Sequence, residues 1–508
     1  MAETKYSVSS VVRDERLNLI VPIIILWGSI LVFCAGWLLF ADNYGNSVNE
    51  YYLIPWSLGA SVILLLPSVY LYYKKKFDPF HPLVFSVWIY LFPAFAVGGI
   101  LLSFEWSNPY FLTFIEDPQY NLPLSLIYVV VGYIGMTVGY FSPVGRFLAE
   151  KIEGFLPKWQ WDVSQVWVPG ILLVLAGIGV NILGFIQGLL GFQRTSEINI
   201  FDGLLFFLVI LLTEGTILLW LAIFQTKKKT GIFYIVLTFL ILLIPLRMAL
   251  LGSRSSLLLS VIPIIMTFQY SGRKLKWIHT VICGFALFIA LSVGIIYGTT
   301  FRNLKGSEAR INAGDYFGQV VATIDYLSTK DLDFILSQNA SALAERVENL
   351  SSLGVVVANY EKLAPYEASY NLENNIINDL YTSFIPRFVW ADKPPTSDAR
   401  AYSDLYFNYS ENSFAISPFG DLLRNFGPIG VPLGMLLIGI YMRVIYSSLI
   451  DTQNPALWKK VAYFPLLTVV SFEAFYATIF PSVIRTLFIL VVSLFLVNLI
   501  VRLIRNVR

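Results

Sequence analysis

LSLIYVVVGYIGMTVGYFSPV, Leu124–Val144, decides the fold class. It carries no charged residue over about 20 residues, the length at which a helix crosses a hydrocarbon core with its backbone hydrogen bonds closed internally. Runs like it recur along the 508-residue chain. We place about 12 of them, at 19–40, 53–72, 82–103, 124–144, 166–190, 203–225, 231–251, 255–270, 278–299, 427–447, 461–480 and 485–503. With 56% apolar residues, 13% charged residues and a mean hydropathy of +0.68, a water-soluble fold would be left with apolar surface it could not bury. The expectation is an all-α polytopic membrane protein. Residues 1–300 form a bundle, 301–425 a large extramembrane subdomain with amphipathic helices, and 426–508 three closing helices.

Lys and Arg set the orientation, because short loops rich in them stay cytoplasmic. Lys74–Lys76, Arg146, Lys151 and Lys158, Lys227–Lys229, Arg273, Lys274 and Lys276, Lys459 and Lys460, and the tail Arg502, Arg505 and Arg508 fall on alternate loops. The opposite set is poor in base, and the loop with Glu105, Glu116 and Asp117 has none. Both termini are expected in the cytoplasm, with the long segment outside. That segment holds ten basic and sixteen acidic residues, so a net charge of +2 conceals a strong sidedness and points to no nucleic acid partner. The run at Leu19–Phe40 is too long for a signal-peptide core and reads as a retained helix.

The two cysteines, Cys34 and Cys283, lie in apolar runs far apart and indicate neither a disulfide framework nor a zinc site. Histidine is absent from the long segment. Arginine is not: Arg302, Arg310, Arg346, Arg387, Arg400 and Arg424 all fall there. Leu343, Val347, Leu350 and Val357 share a helical face beside Glu345, Arg346 and Glu348, which predicts an amphipathic helix over the mouth of the bundle. Ile385–Pro395 sets three prolines and a Trp around Arg387 and Lys393; this rigid stretch fits either a sugar-diphosphate site or a packed surface loop.

Ser417–Gly430 closes the segment. Pro428 fits the first turn of a membrane helix with Asn425 as its cap. One helical turn would put Asp421 and Arg424 on a common face, as a substrate contact or as a surface ion pair. Glu214, Arg247 and Glu473 fall inside apolar runs, where charge is costly and calls for a partner or a function. Arg247 and Arg254 share a face if their helix continues, and can line one cavity; a Glu214 to Arg247 charge pair is the structural alternative.

Gly252-Ser253-Arg254-Ser255-Ser256, Glu345–Leu350, Ile385–Pro394 and Ser417–Gly430, in that order, resemble the Wzy-type repeat-unit polymerases of O-antigen, capsule and exopolysaccharide synthesis. The resemblance also covers the span number and one dominant loop before the last three helices. It implies a GT-C-like architecture in a bacterial cytoplasmic (inner) membrane. The implied partners are undecaprenyl-diphosphate-linked glycans as donor and acceptor, together with a chain-length regulator and a flippase. The implied reaction is metal-independent and needs no cofactor. It asks for cations to stabilise the departing diphosphate and a base for the attacking hydroxyl. Arg254, Arg346, Arg387 and Arg424 suit the first task and Asp421 the second, with Asp392, Asp404 and Glu411 as alternative bases. Glu214, Arg247, Glu473 and Lys393 are further cavity candidates.

Three other readings use the same residues. A ligase of lipid-linked glycans would want an outward histidine, whereas His81 and His279 fall at cytoplasmic helix ends. A metal-dependent transferase would draw on Asp331-Leu332-Asp333, a pattern that also starts helices. A flippase or transporter would show related halves with matching broken helices, and no such repeat is visible.

Overall fold

The computed structural model describes residues 51–187, 208–227, 229–251, 254–273, 313–329, 344–382, 397–410, 417–452 and 454–507, with isolated positions between them. The expected spans at 19–40 and, for most of its length, 278–299 lie outside the described residues. Helix α1 spans Leu53–Tyr73, α2 Pro82–Ser103, α3 Pro118–Phe141 and α4 Pro143–Phe155. Then come α5 (Trp167–Ile186), α6 (Ile210–Gln225), α7 (Gly231–Leu251) and α8 (Arg254–Tyr270). The inserted segment supplies α9 (Ala313–Thr329), α10 (Leu350–Glu367), α11 (Asn375–Thr382) and α12 (Ala399–Phe407). The chain closes with α13 (Pro418–Leu449), α14 (Leu457–Thr468) and α15 (Tyr476–Val507). There is no strand among the described residues.

Six helices, α1, α2, α3, α5, α13 and α15, are long and apolar enough to cross a membrane. α6, α7 and α8 add apolar helices where three further spans were expected. The expectation of one helix over 461–480 is corrected: α14 stops at Thr468, residues 469–475 are irregular, and α15 begins at Tyr476. Irregular backbone persists at such depth only where protein surrounds it. Phe472 and Phe475 of this stretch are packed into protein, each almost wholly buried, while Glu473 between them is exposed.

Glycine decides how closely α3 and α13 approach. A Cβ on Gly139 would stand 2.1 Å from the Leu436 carbonyl oxygen, and one on Gly439 only 1.9 Å from that of Met136. Bare glycine faces let the two backbones touch, the packing on which helices rely where lipid offers no hydrophobic driving force. α13 also differs from its expected form. It begins at Pro418, with Ser417 Oγ accepting from Gly420 N at 3.1 Å, and breaks at Gly427, where φ is 69° and ψ −168°. Asn425 is therefore not the cap. Pro428 follows a kink inside the helix and does not open it.

The bundle has two distinct ends. At one, Lys460 Nζ donates to the Tyr270 carbonyl (2.8 Å), Lys459 Nζ to the Ser448 carbonyl (2.8 Å), and the Tyr270 and Tyr446 hydroxyls to Asp78 (3.0 and 3.3 Å). The basic loops at 74–78, 270–273 and 446–460 thus meet. At the other end, Asn359 Nδ2 donates to the Phe114 carbonyl (2.9 Å), Tyr110 to that of Phe407 (2.9 Å), and Lys362 pairs with Glu116. The inserted segment docks there, on the base-poor loop.

Its docking is deeper than an amphipathic helix lying over a mouth. Every residue from Leu350 to Val357 is buried, whichever way it faces. α2 carries a π-helical stretch at Val87–Val97 around Pro93, whose missing N–H widens the helical register. The Ala94 carbonyl accepts from Asn349 N at 3.0 Å. Glu348 lies against Gly98, where a Cβ would meet its Cγ at 3.3 Å. α10 therefore enters the bundle and hydrogen-bonds into a membrane helix.

Candidate functional site

Where α11, α13 and the start of α15 meet, polar side chains from the segment and the membrane helices form one cluster. The first turn of α13 puts Asp421 and Arg424 on one face, and Arg424 Nη2 lies 2.9 Å from Asp421 Oδ1. Arg424 Nη1 reaches Glu367 Oε1 at 2.9 Å, on the last turn of α10, and donates to the Leu372 carbonyl at 3.1 Å. Its guanidinium carbon stands 5.8 Å from the Tyr402 ring centroid and 5.6 Å from that of Phe475. Asp421 Oδ1 also accepts from Asn375 Nδ2 (3.2 Å) and Asn425 Nδ2 (3.3 Å), and Oδ2 from Ala477 N (3.0 Å). Both side chains are fully buried. In this conformation their bonding capacity is spent inside the protein, tying the segment to α13 and α15.

The cluster continues outward through α11. Asn375 Nδ2 donates to Ser397 Oγ at 2.9 Å, and Ser397 Oγ to Asp379 Oδ2 at 2.5 Å. Asp379 is half-buried. Burial raises its carboxyl above the usual aspartate value; the Ser397 bond opposes this, nearby Asp421 adds to it, and the charges of Lys393 and Arg485 oppose it. Lys393 Nζ donates to the Thr382 carbonyl at 2.6 Å. Burial and the neighbouring Glu367 hold the Tyr406 phenol well above its ordinary value, so it donates to Glu367 Oε1 at 2.7 Å.

Beside this cluster lies an apolar groove of about 480 Å³. Ile376, Ile377 and Leu380 of α11 form one wall, Phe426 and Leu433 of α13 the second, and Phe480 of α15 the third. The break at Gly427 opens it, because the helix changes direction between Phe426 and Ile429. Asn375 and Asp379 occupy the polar face of α11 while its isoleucines line the groove, so an amphipathic ligand would find polar and apolar contacts on one short helix.

A second, smaller cavity of about 190 Å³ lies between α6, α7 and the end of α14, lined by Thr213, Arg247 and Thr468 among apolar neighbours. Arg247 is 9% exposed, and its Nε has no partner among the described residues. A charge at the centre of a bilayer costs about 3 kcal/mol even with local adaptation. The Glu214 to Arg247 pair is not formed: Glu214 is fully buried and accepts from the Ser493 hydroxyl.

The remaining candidates scatter. Arg346 is exposed on a separate turn before Glu348. Arg254 begins α8, with its side chain outside the described residues, as are Arg387, Asp392, Glu411, Asp331, Asp333, His279, Cys34 and Cys283. Asp404 is half-buried on α12, and Glu473 is exposed on the irregular segment instead of lying in a helix. His81 packs at the basic end between the rings of Tyr140 and Tyr446, 4.7 and 4.8 Å between centroids. The sequence reading missed Glu367, Asn375, Asp379, Ser397 and Arg485. A signal existed for Asn375 and Asp379, four apart on one helical face in an asparagine-rich run. No group of three or more metal-ligating side chains occurs among the described residues. Comparison with family models, curated proteins and solved structures finds no match, and the chain stands as a multi-pass, all-helical membrane protein.

Proposed function

We propose that the protein polymerises undecaprenyl-diphosphate-linked oligosaccharide repeat units, by glycosyl transfer at the face carrying the inserted segment, taken as the outer face of a bacterial cytoplasmic membrane. One observation supports this reading: the apolar groove along α13 and α15 lies beside a polar cluster that holds both carboxyl and cationic groups, with α11 contributing to both. A lipid-linked sugar is amphipathic in the same sense. Its isoprenoid chain fits the groove and its diphosphate and sugar the cluster. His81 stands at the opposite end of the bundle from this face, packed between Tyr140 and Tyr446.

In the transfer, an acceptor hydroxyl forms a bond to the donor's anomeric carbon as the carbon–oxygen bond to the diphosphate breaks. Undecaprenyl diphosphate leaves with the bonding pair, and the hydroxyl proton passes to a base. Asp421 is saturated by its partners, so we assign the base to Asp379, half-buried and raised. Lys393 and Arg485, whose charges act on Asp379, stabilise the leaving diphosphate.

Deletion followed by analysis of lipid-linked glycans tests the reading. Single repeats accumulating without polymer are expected; normal polymer with unattached chains would replace it with a ligase, and repeats held on the cytoplasmic side with a flippase. In purified protein, Asp379→Asn should slow polymerisation on the order of 100-fold. A base acts deprotonated, and the Asp379 carboxyl is raised. The wild-type rate should therefore fall, as pH drops, at a higher pH than an ordinary aspartate would give. Unchanged turnover in Asp379→Asn would remove the base assignment.

A further inference from the structure

The irregular stretch at 469–475 has a cavity at each end: the apolar groove at the start of α15, and the smaller cavity at the end of α14 where Arg247 stands. Arginine remains charged at any accessible pH, and hydrocarbon supplies neither water nor counter-ion. Glu214, the other buried charge on these helices, is turned to Ser493. No ion pair to Arg247 and no partner of its Nε occurs among the described residues, and it lines a half-open cleft beside Thr213 and Thr468. The rest of the lining, Phe464 and Pro465 included, is apolar.

We propose that this cavity is an anion site in which Arg247 binds the phosphate of a polyprenyl phosphate, a second lipid position separate from the groove. The chemistry fits: a guanidinium offers a planar fork of donors to phosphate oxygens, and the apolar lining suits the first isoprene units. Arg247 lies about 24 Å along α7 from Gly231. Gly231 follows Lys229 at the basic end, so the cavity stands towards the segment-bearing face. The choice of a lipid phosphate rests on the polymerase reading, in which donor and acceptor are both lipid-linked and each needs a place; the anion site itself does not.

The test uses the full-length protein in nanodiscs, with undecaprenyl phosphate added to the lipid or inorganic phosphate and pyrophosphate added to the buffer. Undecaprenyl phosphate should raise the thermal unfolding midpoint of the wild type. Arg247→Gln should weaken that binding roughly 10–100-fold, as loss of charge-assisted hydrogen bonds does. Arg247→Lys should retain part of it. Thr468→Phe, which keeps the charge and fills the cavity, should also lose the shift. An equal shift from inorganic pyrophosphate, lost in the same variants, would support the site with a soluble phosphate as occupant. Without ligand, Arg247→Gln should be at least as stable as the wild type, because it removes a buried charge that no described residue pairs. A normal response to undecaprenyl phosphate in Arg247→Gln would overturn the proposal, as would a variant that no longer folds, since Arg247 would then hold the bundle. Absence of polymerisation with the Arg247-dependent shift intact would count against the enzyme reading alone.

Discussion

At Asp421, one carboxylate joins three elements: the α13 turn that carries it, Asn375 of α11, and the Ala477 backbone N–H at the start of α15. Removing one partner of a buried ion pair costs about 3–5 kcal/mol, because the other charge is left without compensation. Glu367 still holds Arg424 at 2.9 Å, so Asp421→Asn belongs at the low end of that range. The expected outcome is a lowered thermal unfolding midpoint and reduced protein level, both lowered further by Arg424→Gln in the same chain, which leaves Glu367 buried without its cation. Lost polymer with unchanged stability would return Asp421 to the role of base. Glu348 behaves differently. Burial pushes its carboxyl up to about 7 from an ordinary 4.5, against hydrogen bonds from the Ser351 N–H and hydroxyl. Below pH 4.5 both folded and unfolded states hold the proton. Between 4.5 and about 7 only the folded state keeps it, so stability falls as pH rises through that window, by roughly 3 kcal/mol in all. Glu348→Gln should flatten this slope in thermal unfolding measured from pH 4 to 8; an unaltered slope would assign it to other groups.

At the scale of elements, glycine and proline place the helices. Gly135 and Gly139 of α3 sit against the α13 backbone, where a Cβ would fall 2.4 and 2.1 Å from the carbonyl oxygens of Pro432 and Leu436. Gly139→Leu should force the two helices apart and destabilise the fold by several times as much as Gly59→Leu, whose site has nothing within 4 Å. Similar midpoints for the two variants would mean that the α3 and α13 contact contributes little. Gly427 has open space around it, so a substitution there acts through the backbone alone: φ of 69° with ψ of −168° is a region that L residues adopt at about 1–3 kcal/mol. Gly427→Ala should lower stability by that amount and narrow the groove that the kink opens. The sequence places a proline at 428 and invites a helix start there. Ser417 and Pro418 supply a better one, a side-chain cap followed by a proline at the first position.

Across the whole molecule, the basic loops gather at one end and the segment docks at the other, which makes sidedness testable. A cysteine in place of Lys151 should escape a membrane-impermeant maleimide in intact cells, and one in place of Glu116 should react; the reverse result would invert the molecule. Apolar runs alone determined that this chain is a multi-pass helical protein, because hydrocarbon requires each span to satisfy its own backbone, and that requirement is local. Local spacing likewise brought Asp421 and Arg424 to one face. Only the tertiary structure decided that both are buried, that α10 inserts among the helices, and that Glu367, Asp379 and Arg485 join them from positions far apart in sequence. Burial and partnership are settled by what packs against a residue from elsewhere in the chain. The same holds for Arg247: its sequence position gave a charge in an apolar run, and the packing of α6, α7 and α14 left that charge facing a cavity.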